Sequence, residues 1–361
     1  MVPSYQSFTT SSLANDTESS IEDYYYGSGD NDTGDSGICE FDNQGALFLP
    51  AVYSLLFIVG IVGNGLVFWV VLKAIKTRSM TDVCLLNLAA ADLLLLGCLP
   101  FLAQHSRDQW VFRTAMCKIV LGIYHMGFYS GIFFILLMSI DRYLAIVHAV
   151  YALKGRTWTY GAMASGVIWI ISFCALFPEV LFISVKENDS KWQCKLDYSG
   201  DNTWLKIFRL VKLNILGMLV PLVMIGFCYS MILKRLLSCR FNQRQTIRLV
   251  VLVVVVFFCC WMPFNIMSFV QLLEQLQVIV GCSFSKAIFL GLQITEALAY
   301  SHSCLNPIIY VFVGRKFRKH LLKIMGKVPC MGCQFVKRQL TSSMGQSHSQ
   351  NSTVEERSTG M

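Results

Sequence analysis

The chain has 361 residues, of which 55% are hydrophobic and only 14% charged, with a formal net charge of +8. That balance excludes a water-soluble domain of ordinary composition, in which about 25% of residues are charged. It does not point to nucleic acid either, because the cations flank apolar stretches and fit anionic lipid better than a phosphate backbone.

Residues 1–45 come first and hold nine acidic side chains with no Lys or Arg. Low hydrophobicity and high negative charge predict a segment that is disordered when free. Glu22-Asp23-Tyr24-Tyr25-Tyr26, followed by Asp30, Asp32 and Asp35, reads as a docking strip for a basic protein, with Tyr24, Tyr25 and Tyr26 as candidate sulfation sites. Met1 to Ser20 lacks an apolar centre, so no cleavable signal is expected and the first span inserts itself.

Seven apolar stretches of spanning length follow: Leu47 to Leu72, Val83 to Leu102, Met116 to Val147, Trp158 to Ser184, Leu205 to Leu236, Thr246 to Leu272 and Ala287 to Val313. The basic residues Lys73, Lys76, Arg78, Lys154, Arg156, Lys234, Arg235, Arg240, Arg244, Arg315, Lys316, Arg318 and Lys319 all fall on one side of these spans. The positive-inside rule therefore places the N-terminus outside and the tail in the cytosol. The fold class expected is an all-α membrane protein, a seven-transmembrane helix bundle over 46–314, with a short amphipathic interfacial helix over 315–328. The tail, 329–361, is rich in Ser and Thr, and Cys330 and Cys333 are open to palmitoylation or remain thiols.

Four of the 14 cysteines fall at predicted outer positions. The oxidising exterior favours a staple between Cys117 and Cys194, leaving Cys39 to pair with Cys282, and the two bridges would hold a rim around an open mouth. Sequons at Asn15, Asn31 and Asn188 lie on the same side and are candidate glycosylation sites. Asn351 also matches, but on the cytosolic side. At the other end of the third span, Asp141 stands beside Arg142 where hydrocarbon meets cytosol, an arrangement that reads as a conformational latch. Glu296, among apolar neighbours in the seventh span, is a lone carboxylate that calls for a partner.

The ordered series Gly63-Asn64, Leu88-Ala89-Ala90-Ala91-Asp92, Asp141-Arg142-Tyr143, Trp169, Pro221 with Tyr229, Cys260-Trp261-Met262-Pro263 and Asn306-Pro307-Ile308-Ile309-Tyr310 resembles the rhodopsin-like G-protein-coupled receptors. Within them it is similar to the chemokine receptors, in their CC group. The resemblance implies ligand contacts at Tyr53, Trp110, Tyr124, Trp261 and Glu296, which would form an anionic, aromatic-walled cavity suited to a cationic amine or a chemokine's N-terminal segment. It implies a switch made of Asp141, Arg142, Tyr143, Tyr229, Pro263, Asn306, Pro307 and Tyr310, and a core polar network of Asn64, Asp92 and His302. Water is expected in that network in place of sodium, because Gly131 stands where relatives carry a serine ligand. Cys98-Leu99-Pro100 replaces the family's Thr-x-Pro, and Leu102 stands where many relatives have Trp, so the upper wall is expected to differ in shape.

The partners implied are a CC chemokine, an inhibitory-type heterotrimeric G protein, arrestin, receptor kinases acting on the tail, and membrane lipid. No cofactor, no metal and no nucleic acid is implied. A scavenging receptor without G-protein coupling and, further off, a transporter are the competing readings; no nucleophile dyad, metal cluster or phosphate loop suggests an enzyme.

Overall fold

The computed structural model describes residues 45–73, 79–148, 157–188, 191–196, 203–238, 244–279, 281–313 and 315–325. Tyr24, Tyr25, Tyr26, Cys39, Asn15, Asn31, Cys330, Cys333 and the Ser/Thr tail lie outside the described residues. The apolar stretches become α1 (Gly45–Lys73), α2 (Met80–Arg107), α3 (Arg113–Val147) and α4 (Trp158–Leu181). The fifth span is built from α5 (Thr203–Asn214), a π segment (Ile215–Leu219) and α6 (Val220–Ser238). Then come α7 (Arg244–Gln275), α8 (Cys282–Val313) and a short α9 (Arg315–Met325).

These helices bury polar side chains within an apolar core and leave many further apolar ones on the outer surface. Asn64, Asp92, Ser130, Ser139 and Asn306 are buried, whereas Leu55, Ile58 and Val62 on α1 and Val167, Ile170 and Phe173 on α4 are exposed. That apolar outer surface fits a hydrocarbon surround, where every backbone polar group is satisfied within its own helix. Among the described residues six helical spans, the composite fifth included, are long and apolar enough to cross a membrane. The seventh, α8, falls short in apolarity because Gln293, Thr295, Glu296, Ser301, His302, Ser303 and Asn306 lie along it.

Local chemistry fixes the helix starts. Ser79 caps α2 in a reciprocal box: its hydroxyl accepts from the Asp82 N–H at 3.4 Å, and its own N–H donates to Asp82 Oδ2 at 2.9 Å. Asp82 also places negative charge in the first turn, where the helix dipole favours it. Thr157 caps α4 by accepting from the Tyr160 N–H. Between α2 and α4, the Trp169 indole donates to Asn87 Oδ1 at 2.9 Å, and the Asn87 amide donates to Ser165 Oγ at 3.2 Å.

A two-stranded antiparallel hairpin, β1 (Ile183–Asn188) and β2 (Lys191–Leu196), lies across one end of the bundle with Val185 opposite Cys194. Sequence reading extended the fourth span through Ser184 and contained no strand; Ile183 and Ser184 belong to β1, where the ladder to β2 satisfies their backbone. Cys194 is bonded to Cys117 on α3, which ties the hairpin to the bundle. Cys282 is also disulfide-bonded, with its expected partner Cys39 outside the described residues. At the opposite end, α9 buries Phe317 and Leu321 against the bundle, as its amphipathic pattern predicts.

α2 and α3 approach closely at Gly127, where an added Cβ would sit 2.8 Å from Ala91 O and 2.9 Å from Leu95 N. Both neighbours are backbone, so neither can step aside. Gly127→Val is expected to cost at least about 1–3 kcal/mol through overpacking. Gly131→Ala, whose Cβ meets nothing within 4 Å, is expected to be neutral or slightly stabilising. Apparent Tm of the detergent-solubilised protein distinguishes the two.

Candidate functional site

Three layers of polar side chains run down the bundle. At the hairpin end, Glu296 on α8 is 2% exposed and accepts a hydrogen bond from the Tyr300 hydroxyl at 2.5 Å. The pair is one helical turn apart, so α8 alone sets their meeting. Tyr300 is flanked by Tyr53 of α1, with ring centroids 5.6 Å apart, and by Tyr124 of α3 at 5.7 Å in an edge-to-face contact. Tyr53 and Tyr124 therefore do stand beside the carboxylate's layer. The donor to Glu296 in this layer, Tyr300, is a residue that sequence reading passed over.

Trp110 is fully buried in the connection between α2 and α3, near the rim. Its indole donates to Arg113 O at 2.9 Å, its backbone N–H donates to Trp192 O at 2.7 Å, and its ring lies edge-on to His105 and Phe112. The contacts it makes tie the hairpin to the bundle.

The middle layer joins α1, α2, α7 and α8 around Asp92. Ser303 Oγ donates to Asp92 Oδ1 at 2.8 Å and the Asn306 amide donates to Oδ2 at 2.9 Å. The Asn64 amide donates to Ser303 O at 2.8 Å and Gly60 O at 3.1 Å. His302 links this layer to the aromatic above it: the Trp261 indole donates to His302 Nδ1 at 3.0 Å, and His302 Nε2 lies 3.5 Å from Asp92 Oδ1. His302 Nδ1 also lies 2.7 Å from Ala299 O, so this nitrogen is shared between the indole donor and a backbone acceptor while Nε2 faces Asp92. Trp261 in turn packs on Phe128 of α3 with centroids 4.6 Å apart. Pro263 and Pro307 lie within α7 and α8, each removing one helix hydrogen bond close to this layer.

The third layer is at the α9 end. Asp141 and Arg142 are buried and ion-paired, and Arg142 Nε donates to Asp141 Oδ2 at 3.1 Å. Thr81 at the start of α2 closes the arrangement, donating from its hydroxyl to Asp141 Oδ2 at 2.8 Å and also contacting the Arg142 guanidinium. Tyr143 is turned away towards His148 Nε2, 3.0 Å from its hydroxyl. Among the described residues the buried hydroxyl of Tyr310 has no hydrogen-bond partner, and that of Tyr229 faces Ser139. Neither phenol is bonded to Arg142, which is held by Asp141.

Sequence reading also passed over a fourth cluster, between α3, α4 and α5. Glu179 is 4% exposed; its Oε2 lies 2.8 Å from His125 Nε2 and its Oε1 2.6 Å from Lys212 Nζ. The signal was present, since Glu179 is a lone carboxylate in an apolar run just as Glu296 is. Thr81 carried no such signal, because its partner is 60 positions away in the chain.

Comparison with known proteins agrees with this layout. The family described as "7 transmembrane receptor (rhodopsin family)" matches residues 63–310. The human C-C chemokine receptor type 4 is 46% identical over 281 residues, covering 78% of this chain and 78% of its own length. The mouse C-C chemokine receptor type 8 is 42% identical, covering 84% of this chain and 89% of its own. The human type 8 receptor is 41% identical over 340 residues, covering 92% and 95%. Type 4 gives the higher identity and type 8 the longer match. With a seven-helix bundle, a bridged hairpin and the motif series in one chain, the protein belongs to the rhodopsin family of seven-transmembrane receptors, in its chemokine-receptor group, and so to signalling receptors and not enzymes.

Proposed function

We propose that the protein is a plasma-membrane receptor for a CC chemokine, with its acidic N-terminus outside, that activates an inhibitory-type heterotrimeric G protein and so drives calcium signalling and chemotaxis. The observation that carries this reading is the pair of buried charged sites at opposite ends of one bundle. One is Glu296 in its tyrosine layer and the other is Asp141–Arg142–Thr81. Glu296, with Tyr53, Tyr124 and Trp261 around and below it, takes the cationic amine or N-terminal segment of the chemokine. Trp110, Cys117–Cys194 and Cys39–Cys282 hold the mouth open, and Tyr24, Tyr25 and Tyr26 make the first, long-range contact. Glycans at Asn15, Asn31 and Asn188 belong to the same face.

Activation is the release of Arg142 from Asp141, after which the hydroxyls of Tyr229 and Tyr310 become its partners. Pro263 and Pro307 permit the bend, and the Trp261–His302–Asp92 connection with Asn64 and Asn306 joins the two ends. Ligand drives this only by its differential affinity for the two forms. Arrestin and receptor kinases act on the Ser/Thr tail, while lipid contacts the basic α9.

The test is G-protein nucleotide exchange in cells expressing the receptor, challenged with a panel of CC chemokines. Activation by at least one is expected. Silence towards the whole panel, with the receptor at the cell surface, overturns the reading and leaves scavenging, in which ligand is internalised without exchange.

A further inference from the structure

The cluster around Glu179 is chemically unlike the one around Glu296. Glu296 accepts from a neutral phenol, whereas each oxygen of Glu179 faces a basic side chain, His125 Nε2 at 2.8 Å and Lys212 Nζ at 2.6 Å. His125 Nδ1 lies 2.6 Å from Leu121 O, which holds the ring in place. Lys212 also donates to Ala175 O at 2.6 Å and lies 5.4 Å above the Tyr129 ring. Arg209, one turn away on α5, adds further positive potential at Glu179. A carboxylate flanked on both oxygens by basic side chains is set towards its own neighbours, and charges buried this deeply in a membrane bundle are rarely incidental.

The placement gives the cluster its consequence. Lys212 lies three residues before the π segment Ile215–Leu219, where the fifth span changes its winding. Such segments mark places where a helix has a second winding within reach. Within that segment, Gly217 lies so close to α3 and α7 that an added Cβ would be 3.3 Å from Phe128 Cζ and 3.4 Å from Asn265 Oδ1. Phe128 is the ring that packs on Trp261, and on α3 it is three residues from His125, on the same face. The fifth span is therefore joined to α3 by two adjacent rungs, an ionic one at His125–Glu179–Lys212 and an apolar one at Gly217–Phe128.

We propose that His125, Glu179 and Lys212 are positioning residues, a charge clamp that fixes the resting winding of the π segment and through it the contact of Phe128 with Trp261. Breaking the clamp frees the π segment and raises signalling without ligand. The part concerning signalling rests on the function proposed above; the part concerning the π segment does not.

The test uses full-length receptor in lipid nanodiscs, as Glu179→Gln, Lys212→Met, the double variant, and Lys212→Arg. Two quantities are read. One is hydrogen–deuterium exchange of residues 215–219, which requires no G protein. The other is agonist-independent nucleotide exchange on added inhibitory-type G protein, at matched receptor amounts. Each single charge-removing variant is expected to speed amide exchange in 215–219 at least tenfold and to raise basal nucleotide exchange at least threefold. Lys212→Arg, which keeps the ion pair, is expected to behave as wild type and serves as the folding control. The double variant is expected to fall well short of the sum of the singles, because either change alone already opens the clamp. Unaltered amide exchange in both singles, or strictly additive effects in the double, overturns the proposal. Faster amide exchange in a receptor that activates no G protein in any form supports the clamp and counts against the signalling function instead.

Discussion

Glu296→Gln is expected to lower the potency of the activating chemokine by about 10- to 100-fold, since a hydrogen bond to a charged group contributes about 1.5–3 kcal/mol and each 1.4 kcal/mol is tenfold. Glutamine keeps the shape of the side chain and an oxygen that still accepts from Tyr300, so the layer of Tyr53, Tyr124 and Tyr300 stays packed. What is lost is the negative charge in a site 2% exposed, where little water is present to screen it. Tyr300→Phe, which removes the donor and keeps the charge, is expected to change potency by less than the Glu296 variant. Dose–response curves for nucleotide exchange at equal surface density measure both. An unshifted curve for Glu296→Gln removes the carboxylate from the ligand's binding energy.

The second large effect is at the other end. Asp141→Asn is expected to raise agonist-independent nucleotide exchange several-fold, and Arg142→Ala to abolish exchange while leaving chemokine binding intact. Removing one member of a buried ion pair costs about 3–5 kcal/mol, which bounds the energy by which the closed arrangement is weakened. Asp141 also holds the Thr81 hydroxyl, so its replacement unfastens α2 from α3 as well as freeing the guanidinium. Thr81→Ala, which leaves the charge pair in place, should give a smaller rise, bounded by about 1.5–3 kcal/mol for one hydrogen bond to a charged group. If Asp141→Asn leaves basal exchange at the wild-type level while ligand binding is normal, the latch interpretation fails.

Much of this architecture was legible in the chain because hydrocarbon imposes one dominant rule, a run of apolar residues long enough to cross. Leu47 to Leu72 became α1 (Gly45–Lys73) and Trp158 was the correct start of α4. The ends that shifted most, as at Arg107 and Cys282, are polar turns that extend beyond the apolar core of a helix. The hairpin was missed because six-residue strands carry too little alternation to be seen beside a long apolar helix. The π segment was missed because ILGML differs in nothing but winding from the helix around it. Partners proved harder to read than charges. Glu296 stood out alone and its i+4 neighbour Tyr300 was within reach of helical spacing, but Thr81 and the triad of Glu179 with His125 and Lys212 required three-dimensional proximity between distant positions. Trp110, assigned to the ligand by resemblance, makes its polar contacts to the rim backbone, a role its sequence context did not disclose.

The insufficient apolarity of α8 bears on how the molecule is made. A segment carrying Glu296, His302, Ser303 and Asn306 gains little by partitioning alone into lipid, where polar side chains are penalised at the point of integration. Asn64 and Asp92 on the first two helices receive the backbone of Ser303 and the side chains of Ser303 and Asn306 in the bundle, so the entry of α8 is expected to draw on them. The last crossing is thus completed by the first ones, and a lesion near the beginning of the gene would show itself as a C-terminus stranded in the wrong compartment.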